Sequence, residues 1–445
     1  MLTVAYLANE FPSPFEPYVG DEIAELRSRG VRVIATSARR PRRAEGVDIV
    51  LLPLRLPAFL GGLWLCLRRW KRIAPLLKRV LFQGHEKPWR RIKALVHTFL
   101  GACYAASLKG RGIEHIHVHH GYFGSWIAMT AARLLGVEFS LTLLGSDLLL
   151  HAAYLDAKLH NCALCLTISD YNRRYILEHY PEIEPEKMVV SRLGVEVPAK
   201  VARPSPGPKA GNEPLRLLTV GRLHPVKNHE FLVRACNRLH EEGVDFQCVI
   251  AGKGPERDRL EFLIRASGLR LGERVRLLGF VPPEQMDSLY DSADVVVLTS
   301  HSEGTPLVLM EAMARGKIVL APAITGIPEL VIDGKTGFLY EPGSLDDFVG
   351  RLQFIRERKR GARPNQRQDQ YAGHPSGLPA GLPVDWIQHA ARVHVRHNYN
   401  RTTNLAAFAS LFLQRITPQN ESVPRENFVL QQIQLSVQRN GSVPV

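Results

Sequence analysis

The stretch "LRLLTVGRLHPVKNHEFLVRACNRLHEEGVDFQCVIAGKG", Leu215 to Gly254, decides the fold class. Its first seven residues form an apolar, β-prone run that ends on Gly221. "NHEFLVRACNRLHEEG" then carries apolar residues at helical spacing, and "FQCVIAG" is a second strand. A strand–helix–strand passage of this length returns the chain to the same end of a sheet, so the two strands are parallel. Outward from this unit the alternation continues. Downstream come "ERDRLEFLIRASG" as a helix and "VRLLGFV", "ADVVVLTS", "IVLAP" and "TGFLY" as strands. Upstream, "LTVAYLA", "VRVIATS", "IEHIHVHH", "EFSLTLLG" and "CALCLTISD" read as strands, interleaved with the helical "YVGDEIAELRSRG", "GSWIAMTAARLLG" and "YNRRYILEHY". Between the two series lies "VPAKVARPSPGPKAGNEP", Val197 to Pro214, whose Pro, Gly and Ala content marks a linker. The expected architecture is α/β: two Rossmann-like, doubly wound parallel-sheet domains facing a cleft. Open parallel sheets bind ligands beyond the carboxyl ends of their strands, which places the site in that cleft.

Composition is compatible with two such domains. The 445 residues are 45% hydrophobic and 22% charged, as in a globular protein with sizeable cores. The net charge of +14 favours an anionic partner: nucleotide phosphate, lipid headgroups or nucleic acid. The basic residues are spread out and form no recognised nucleic-acid module, so nucleic acid is not expected as a partner. Six cysteines include one C-x-x-C, Cys162 to Cys165, inside an apolar run with no second pair, which reads as buried thiols in a reducing compartment rather than a zinc site. The opening "MLTVAYLANEF" lacks a basic leader, and no apolar run reaches the roughly 18 residues of a membrane span, so the expected location is cytoplasmic, at the inner face of the plasma membrane. The segments read as a first domain over 1–196, a linker over 197–214, a second domain over 215–350, a low-complexity insert over 351–384, a C-terminal helix over 385–416 and a polar tail over 417–445. The insert, rich in Arg, Gln, Pro and Gly from about Arg356, is expected to be mobile.

Chemistry concentrates at strand ends. Gly221 permits a tight turn, and Arg222 and Lys227 leave the same loop, where two cations can offset a diphosphate. Gly252 and Gly254, in "AGKGP", mark a second glycine-rich strand end, but neither a dinucleotide fingerprint nor a Walker loop occurs. In "SHSEGTPLVLMEAMARGKIVLAP", Ser300 to Pro322, Glu303 lies in the turn before a helix and Glu311 about two turns along it, with Pro306 suited to the first helical position. A carboxylate beside a helix N-terminus suits a ligand with both hydroxyl-rich rings and a phosphate. The competing reading is a capped core helix.

Taken in order, the landmarks "VGRLHPVKNH", "VIAGKGPERDRLE", "RVRLLGFVPPEQMDSLYDSADVVVLTSHSEGTPLVLMEAMARG" and "GIPELVIDGKTGFLYEPGSLDDF" resemble the nucleotide-sugar domain of family-four retaining glycosyltransferases, which have the GT-B architecture. The first half resembles transferases of exopolysaccharide and colanic-acid assembly more loosely, through "FEPYVGDEIAELRSRG", "HIHVHHGYFGSWIAMTAARLLGVEFSLT" and "LTISDYNRRYI". The resemblance implies a nucleotide-sugar donor as co-substrate and no other cofactor or metal. It implies that the two glutamates are the family's E-x7-E pair, with Glu303 on the donor sugar and Glu311 on the ribose. It also implies phosphate contacts from Gly304, Thr305, Pro306 and Leu307, leaving-group cations in Arg222 and Lys227, and a base pocket lined by Gly279, Phe280 and Val281. The acceptor would be a saccharide, lipid-linked, held by the first domain.

On that side the family places a histidine in a T-x-H pattern, where this chain has Thr142-Leu143-Leu144, followed by Gly145, Ser146 and Asp147. Leu144 therefore departs from the pattern, and His119, His120 or Asp147 are candidates to take over sugar contacts. Of these, His119 is the best match to a family histidine and is expected among the catalytic residues with Glu303, Lys227 and Arg222. Strand alternation separates His117 and His119 from His120, against a metal cluster. Finally, "AFLGGLWLCLRRWKRIAPLLKRVLF", Ala58 to Phe82, carries Leu60, Leu63, Leu67, Trp70, Ala74, Leu77 and Leu81 at helical spacing, with Arg68, Arg69, Lys71, Arg72, Lys78 and Arg79, and a kink expected at Pro75. That pattern suits a helix lying on an anionic membrane surface; a helix packed on its own domain is the alternative. The function expected is retaining transfer of a sugar in cell-surface or exopolysaccharide synthesis. The alternatives are an epimerase or phosphorylase on the same architecture, or a non-catalytic nucleotide-sugar-binding partner of another transferase.

Overall fold

The computed structural model describes residues 1–41, 45–83, 86–150, 153–199, 213–270, 272–359 and 384–417. Two all-parallel sheets organise it. The first has the spatial order β3 (Ile49–Val50), β2 (Arg32–Ser37), β1 (Thr3–Ala8), β4 (His115–His119), β5 (Glu138–Leu143), β6 (Leu164–Thr167), β7 (Met188–Val190). The second runs β10 (Val275–Gly279), β9 (Phe246–Ala251), β8 (Leu215–Val220), β11 (Val295–Val297), β12 (Ile318–Pro322), β13 (Phe338–Tyr340). In each sheet the order reverses beside the first strand, between β1 and β4 and between β8 and β11, and such a switch point opens a crevice for a ligand.

Helices cover both faces of both sheets, which is why the central strands are buried on both sides: β1, β4, β11 and β12 are buried throughout, β4 with His115, His117 and His119 along one face. Apolar clusters flank each sheet, one of them joining β8 and β9 to helices His229–Glu241 and Leu345–Lys359. The last helix runs to Lys359, so the region expected to begin a low-complexity insert at residue 351 starts as ordered helix; the remainder, 360–383, and the tail from 418 lie outside the described residues. Of the linker, 200–212 also lies outside them.

The single C-terminal helix expected over 385–416 is two helices, Val384–Asn398 and Arg401–Ile416. Asn400 breaks them, its side chain capping the second by accepting from the Thr403 amide at 3.2 Å. The first packs on helix Leu307–Ala314 of the second domain. The second crosses to the first domain, where Phe408 and Phe412 join the core beside Val4, Tyr6 and Ile23. At the crossing Val195 and Arg401 exchange backbone bonds with the other strand of chain. Gly194 is essential there, because a Cβ would lie 2.7 Å from the Arg401 Cα.

The segment Ala58–Phe82 also divides, into Leu56–Arg68 and Trp70–Phe82. The break is at Arg69, not Pro75, which sits inside the second helix. Arg69 turns its guanidinium onto the Leu134 carbonyl and Arg72 onto that of Arg133, so these two cations satisfy the carboxyl end of helix Phe123–Leu135. Arg79 pairs with Asp156 at 2.6 Å. The second helix buries Ile73, Leu76 and Val80, whereas Leu60, Leu63, Leu67, Trp70 and Leu81 are exposed on the outside with Arg68, Lys71 and Lys78. Among the described residues no helix is long and apolar enough to cross a membrane.

Candidate functional site

The second sheet brings two distant loops together at its carboxyl edge. The loop after β8 carries Arg222 and a 3₁₀ turn, Pro225–Lys227, and the loop after β11 carries Ser300 to Pro306. Thr299 Oγ donates to the Lys227 carbonyl at 3.0 Å, and the His301 amide to that of Val226 at 2.8 Å. These bonds hold Lys227 against Glu303, with Nζ 2.5 Å from Oε1, while Ser300 Oγ donates to the same oxygen at 2.6 Å. Helix Leu307–Ala314 starts immediately afterwards; Pro306 is its N-cap, one position earlier than expected, and Glu311 lies little more than one turn in. Tyr290, itself 1% exposed, donates its hydroxyl to Glu311 at 2.5 Å. Burial pushes the Glu311 carboxyl above its usual range, with the Tyr290 bond and the Arg315 charge opposing.

The glycines of this edge are explained by close backbone approach. A Cβ on Gly252, which has φ +157°, would sit 1.7 Å from the Gly221 carbonyl oxygen, and one on Gly254 2.1 Å from that of Leu223. Only glycine allows the two loops to run together, bonded from Gly221 N to Ala251 O and from Leu223 N to Lys253 O. Gly221 itself has ordinary contact with the Lys227 side chain. Phe280 projects 43% exposed with Lys253 Nζ 5.8 Å from its ring, and Val281 follows it, half-buried.

The first domain faces this edge with the loops after β4 and β5. His119 is buried: Nε2 meets Glu22 at 2.9 Å and the Tyr6 hydroxyl at 3.2 Å. His117 lies beside it on the same face, its nitrogens 2.7 Å from Ser140 Oγ and 3.2 Å from Thr142 Oγ. Glu22, His117 and His119 offer ligand atoms within 4.8 Å of one another; both His117 nitrogens and His119 Nε2 are already hydrogen-bonded, the last to Glu22 itself, while His119 Nδ1 is buried without a hydrogen-bond partner among the described residues. His120, with φ +72°, leaves the strand and bonds Glu16 at 2.9 Å. Burial pushes the Glu16 carboxyl up, yet the bond and charge of His120 outweigh it and hold the carboxyl below its usual range. Burial likewise lowers His120, and Glu16 with Asp147 outweighs it and raises the imidazole. Asp147 is committed to structure, accepting from the amides of Gly121 (2.9 Å), Gly145 (2.7 Å) and Leu144 (3.2 Å). Leu144 has its carbonyl taken by Asn172 Nδ2 at 2.8 Å.

Residues 205–372 match the profile of the family described as "Glycosyl transferases group 1". The second domain is a group 1 glycosyltransferase domain. A protein of Escherichia coli named as a colanic acid biosynthesis glycosyltransferase, WcaL, is 40% identical over 174 residues, 38% of this chain and 41% of that one. The amylovoran biosynthesis glycosyltransferase AmsK of Erwinia amylovora is 35% identical over 173 residues, again 38% and 41%. The chain spans about two fifths of the length of these relatives. Over the whole chain, the fold is that of GT-B glycosyltransferases: sucrose-phosphate synthase of Thermosynechococcus elongatus superposes with TM-score 0.66 at 18% identity, covering 93% of this chain and 99% of that one.

The group 1 domain touches the first domain along a narrow seam. Gly304 lies so close to Leu144 that a Cβ would come 2.1 Å from the Leu144 oxygen, and one on Gly145 would come 2.8 Å from the Gly304 nitrogen. Thr305 Oγ reaches the Ile168 carbonyl at 3.4 Å. Beside them the Glu329 carboxylate accepts from the amides of Asp170 (3.0 Å) and Tyr171 (2.5 Å), the first turn of helix Asp170–His179. A carboxylate from one domain thus caps a helix of the other. Lys227, Glu303, Gly304 and Thr305 are gathered at the switch point of the group 1 domain, and Arg222 projects its charge on Glu16 and His120 across the gap. His119 lies beneath the surface instead. Sequence reasoning does not single out Glu16, Tyr290 or Glu329, although each lies within a quoted landmark, in "FEPYVG", "MDSLYDS" and "GIPELV".

Proposed function

We propose that the chain is a retaining glycosyltransferase that moves a sugar from a nucleotide-sugar donor to a lipid-linked saccharide in exopolysaccharide assembly. The observation that carries this reading is the Lys227–Glu303 contact, which unites motif residues 76 positions apart at the carboxyl edge of a group 1 domain. In the scheme Glu303 accepts hydrogen bonds from donor-sugar hydroxyls and Glu311 from the ribose, while Phe280 and Val281 flank the base. The bond from the anomeric carbon to the diphosphate breaks as the acceptor oxygen attacks the same face, and the acceptor proton passes to the departing diphosphate. Negative charge grows on that diphosphate, and Arg222, Lys227 and the start of helix Leu307–Ala314 supply fixed positive potential where it develops, without a metal.

The exposed row of Leu60, Leu63, Leu67 and Trp70, bordered by Arg68, Lys71 and Lys78, supports seating of the first domain on an anionic membrane surface, where a lipid-linked acceptor resides. Leu144 in place of the family histidine favours one second reading, a nucleotide-sugar-binding partner without catalysis. Titrating the protein with a panel of nucleotide sugars and following release of nucleoside diphosphate tests both. Binding with release supports the transferase, binding without release the partner, and absence of binding rejects the donor site.

A further inference from the structure

Between the cleft and the exposed apolar row lies a cavity of about 340 Å³ lined by Trp89, Arg90, Lys93, Tyr122, Phe123 and Ala153. Three of these residues come from the first turns of helix Pro88–Leu108, and two from the entry to helix Phe123–Leu135. The inner wall belongs to the cleft. The Tyr122 ring stacks on His120 with centroids 5.6 Å apart, and its hydroxyl meets Ser146 Oγ at 2.7 Å. The wall is fixed from behind by Lys158, wholly buried, whose Nζ donates to the carbonyls of Gly121 (2.6 Å) and Tyr122 (3.0 Å).

The outer wall belongs to the surface. Trp89 is 62% exposed, and Ile92 and Val96 continue the same helix face at 55% and 51%. Helix Leu56–Arg68 packs against this helix and adds its own exposed Leu60, Leu63 and Trp64. Cations stand between the two walls. Lys93 Nζ lies 4.8 Å from the Trp89 ring and 5.9 Å from that of Phe123, with no carboxylate within 4 Å among the described residues. Arg90 is bonded to Glu86 at 3.1 Å and remains 38% exposed at its side chain. Two cations therefore face one carboxylate, on aromatic walls, with an apolar track leading out and Tyr122 and His120 on the inner side.

We propose that this cavity holds the phosphate head of the lipid-linked acceptor, with Arg90 and Lys93 on the phosphate oxygens, the first segment of the hydrocarbon chain over Trp89 and Phe123, and the attached sugar at Tyr122 and His120. A guanidinium–ammonium pair on a partly desolvated aromatic floor binds a phosphate better than either cation would in water. A chain leaving past Trp89, Ile92 and Val96 stays on apolar surface until it enters the bilayer. The assignment of the sugar end rests on the transferase reading; the binding of an alkyl phosphate does not.

The test uses the full chain, calorimetry, and farnesyl diphosphate as the probe, with a nucleoside diphosphate in excess to fill the donor site. Farnesyl diphosphate is expected to bind, with inorganic pyrophosphate and farnesol each about tenfold weaker or more. Arg90→Gln with Lys93→Gln, and separately Trp89→Ser, should each weaken it about tenfold, with unfolding midpoints unchanged because all three side chains reach solvent. Competition by the nucleoside diphosphate, or unaltered binding by both variants, overturns the proposal. Equal binding of pyrophosphate would reduce the cavity to an anion site and overturn the lipid assignment. Failure of the transferase reading shows up separately, as absence of nucleotide-sugar binding with farnesyl diphosphate binding intact.

Discussion

Replacing Gly304 with alanine isolates the contact between the domains from everything else at the site. The added Cβ would lie 2.1 Å from the Leu144 oxygen and 2.7 Å from Ile168 Cδ1, both in the first domain. A carbon and a carbonyl oxygen come no closer than about 3.3 Å, so the domains must part by roughly 1.2 Å. Alanine keeps the amide, Gly304 has no left-handed φ to strain it, and both of these clashes are with the other domain. Each domain should therefore fold as before, with stability changed by about 0.5 kcal/mol or less. Misplacing reacting groups by about 1 Å costs on the order of 100-fold in rate, equivalent to about 2.7 kcal/mol of barrier. The assay is nucleoside diphosphate release with saturating donor and acceptor, alongside calorimetric binding of nucleoside diphosphate. We expect kcat to fall about 100-fold while nucleotide affinity stays within about twofold. A Gly304→Ala protein that turns over at the natural rate would refute the reasoning, since it would mean that the seam is not the working geometry.

Glu329→Ala should also loosen the seam, by removing two charge-assisted bonds worth about 1.5–3 kcal/mol each to the amides of Asp170 and Tyr171; a larger radius of gyration in solution scattering is the readout, and an unchanged one counts against the cap. The Glu16–His120 pair has a defined pH window. The His120 pKa is raised above its ordinary 6.5, so the pair's stabilisation is present below 6.5 and is lost as pH rises through that raised value; the Glu16 pKa is lowered below 4.5, so it is lost again as pH falls through that value. In Glu16→Gln the His120 titration, followed by proton NMR, should move down, and an unmoved curve would deny the pairing. Exchanging Arg68, Lys71 and Lys78 for glutamine should weaken binding to anionic vesicles, each cation contributing about 1 kcal/mol that salt screens. Equal co-sedimentation of the two forms would exclude a membrane-facing role for this surface.

Much of this was legible in the sequence because the deciding signals were local. Apolar runs such as Val295–Val297 and Ile318–Pro322 are buried on both faces of a parallel sheet, and their composition alone declares it. Strands β3 and β7 were not, since two or three residues at a sheet edge carry no pattern to distinguish them from loop. No local breaker stands at Arg69, and Pro75, like Gly61 and Gly62, lies inside a helix; the actual cause is the carboxyl end of helix Phe123–Leu135, which takes the Arg69 guanidinium. The Asn400 cap was readable in "NYNRTT", although helical periodicity on both sides concealed it. At the site, loop glycines and the E-x7-E spacing located Glu303 and Glu311, yet nothing local could reveal that Gly304 meets Leu144, or that Glu16 rather than His119 shares the cleft with His120. Those contacts join residues brought together by the approach of strand ends and domains, and only the fold specifies them.

The central claim is that the loops of Lys227 and Glu303 transfer a sugar, and the most direct measurement is the mass of the acceptor. The full chain would be incubated with nucleotide sugars and a pool of lipid-linked saccharides, and the pool read by mass spectrometry. The account predicts a gain of one sugar residue, undiminished by chelators and abolished in Lys227→Ala and Glu303→Ala proteins that still fold. Tight binding of a nucleotide sugar with no gain in acceptor mass, or full activity in either variant, would contradict it.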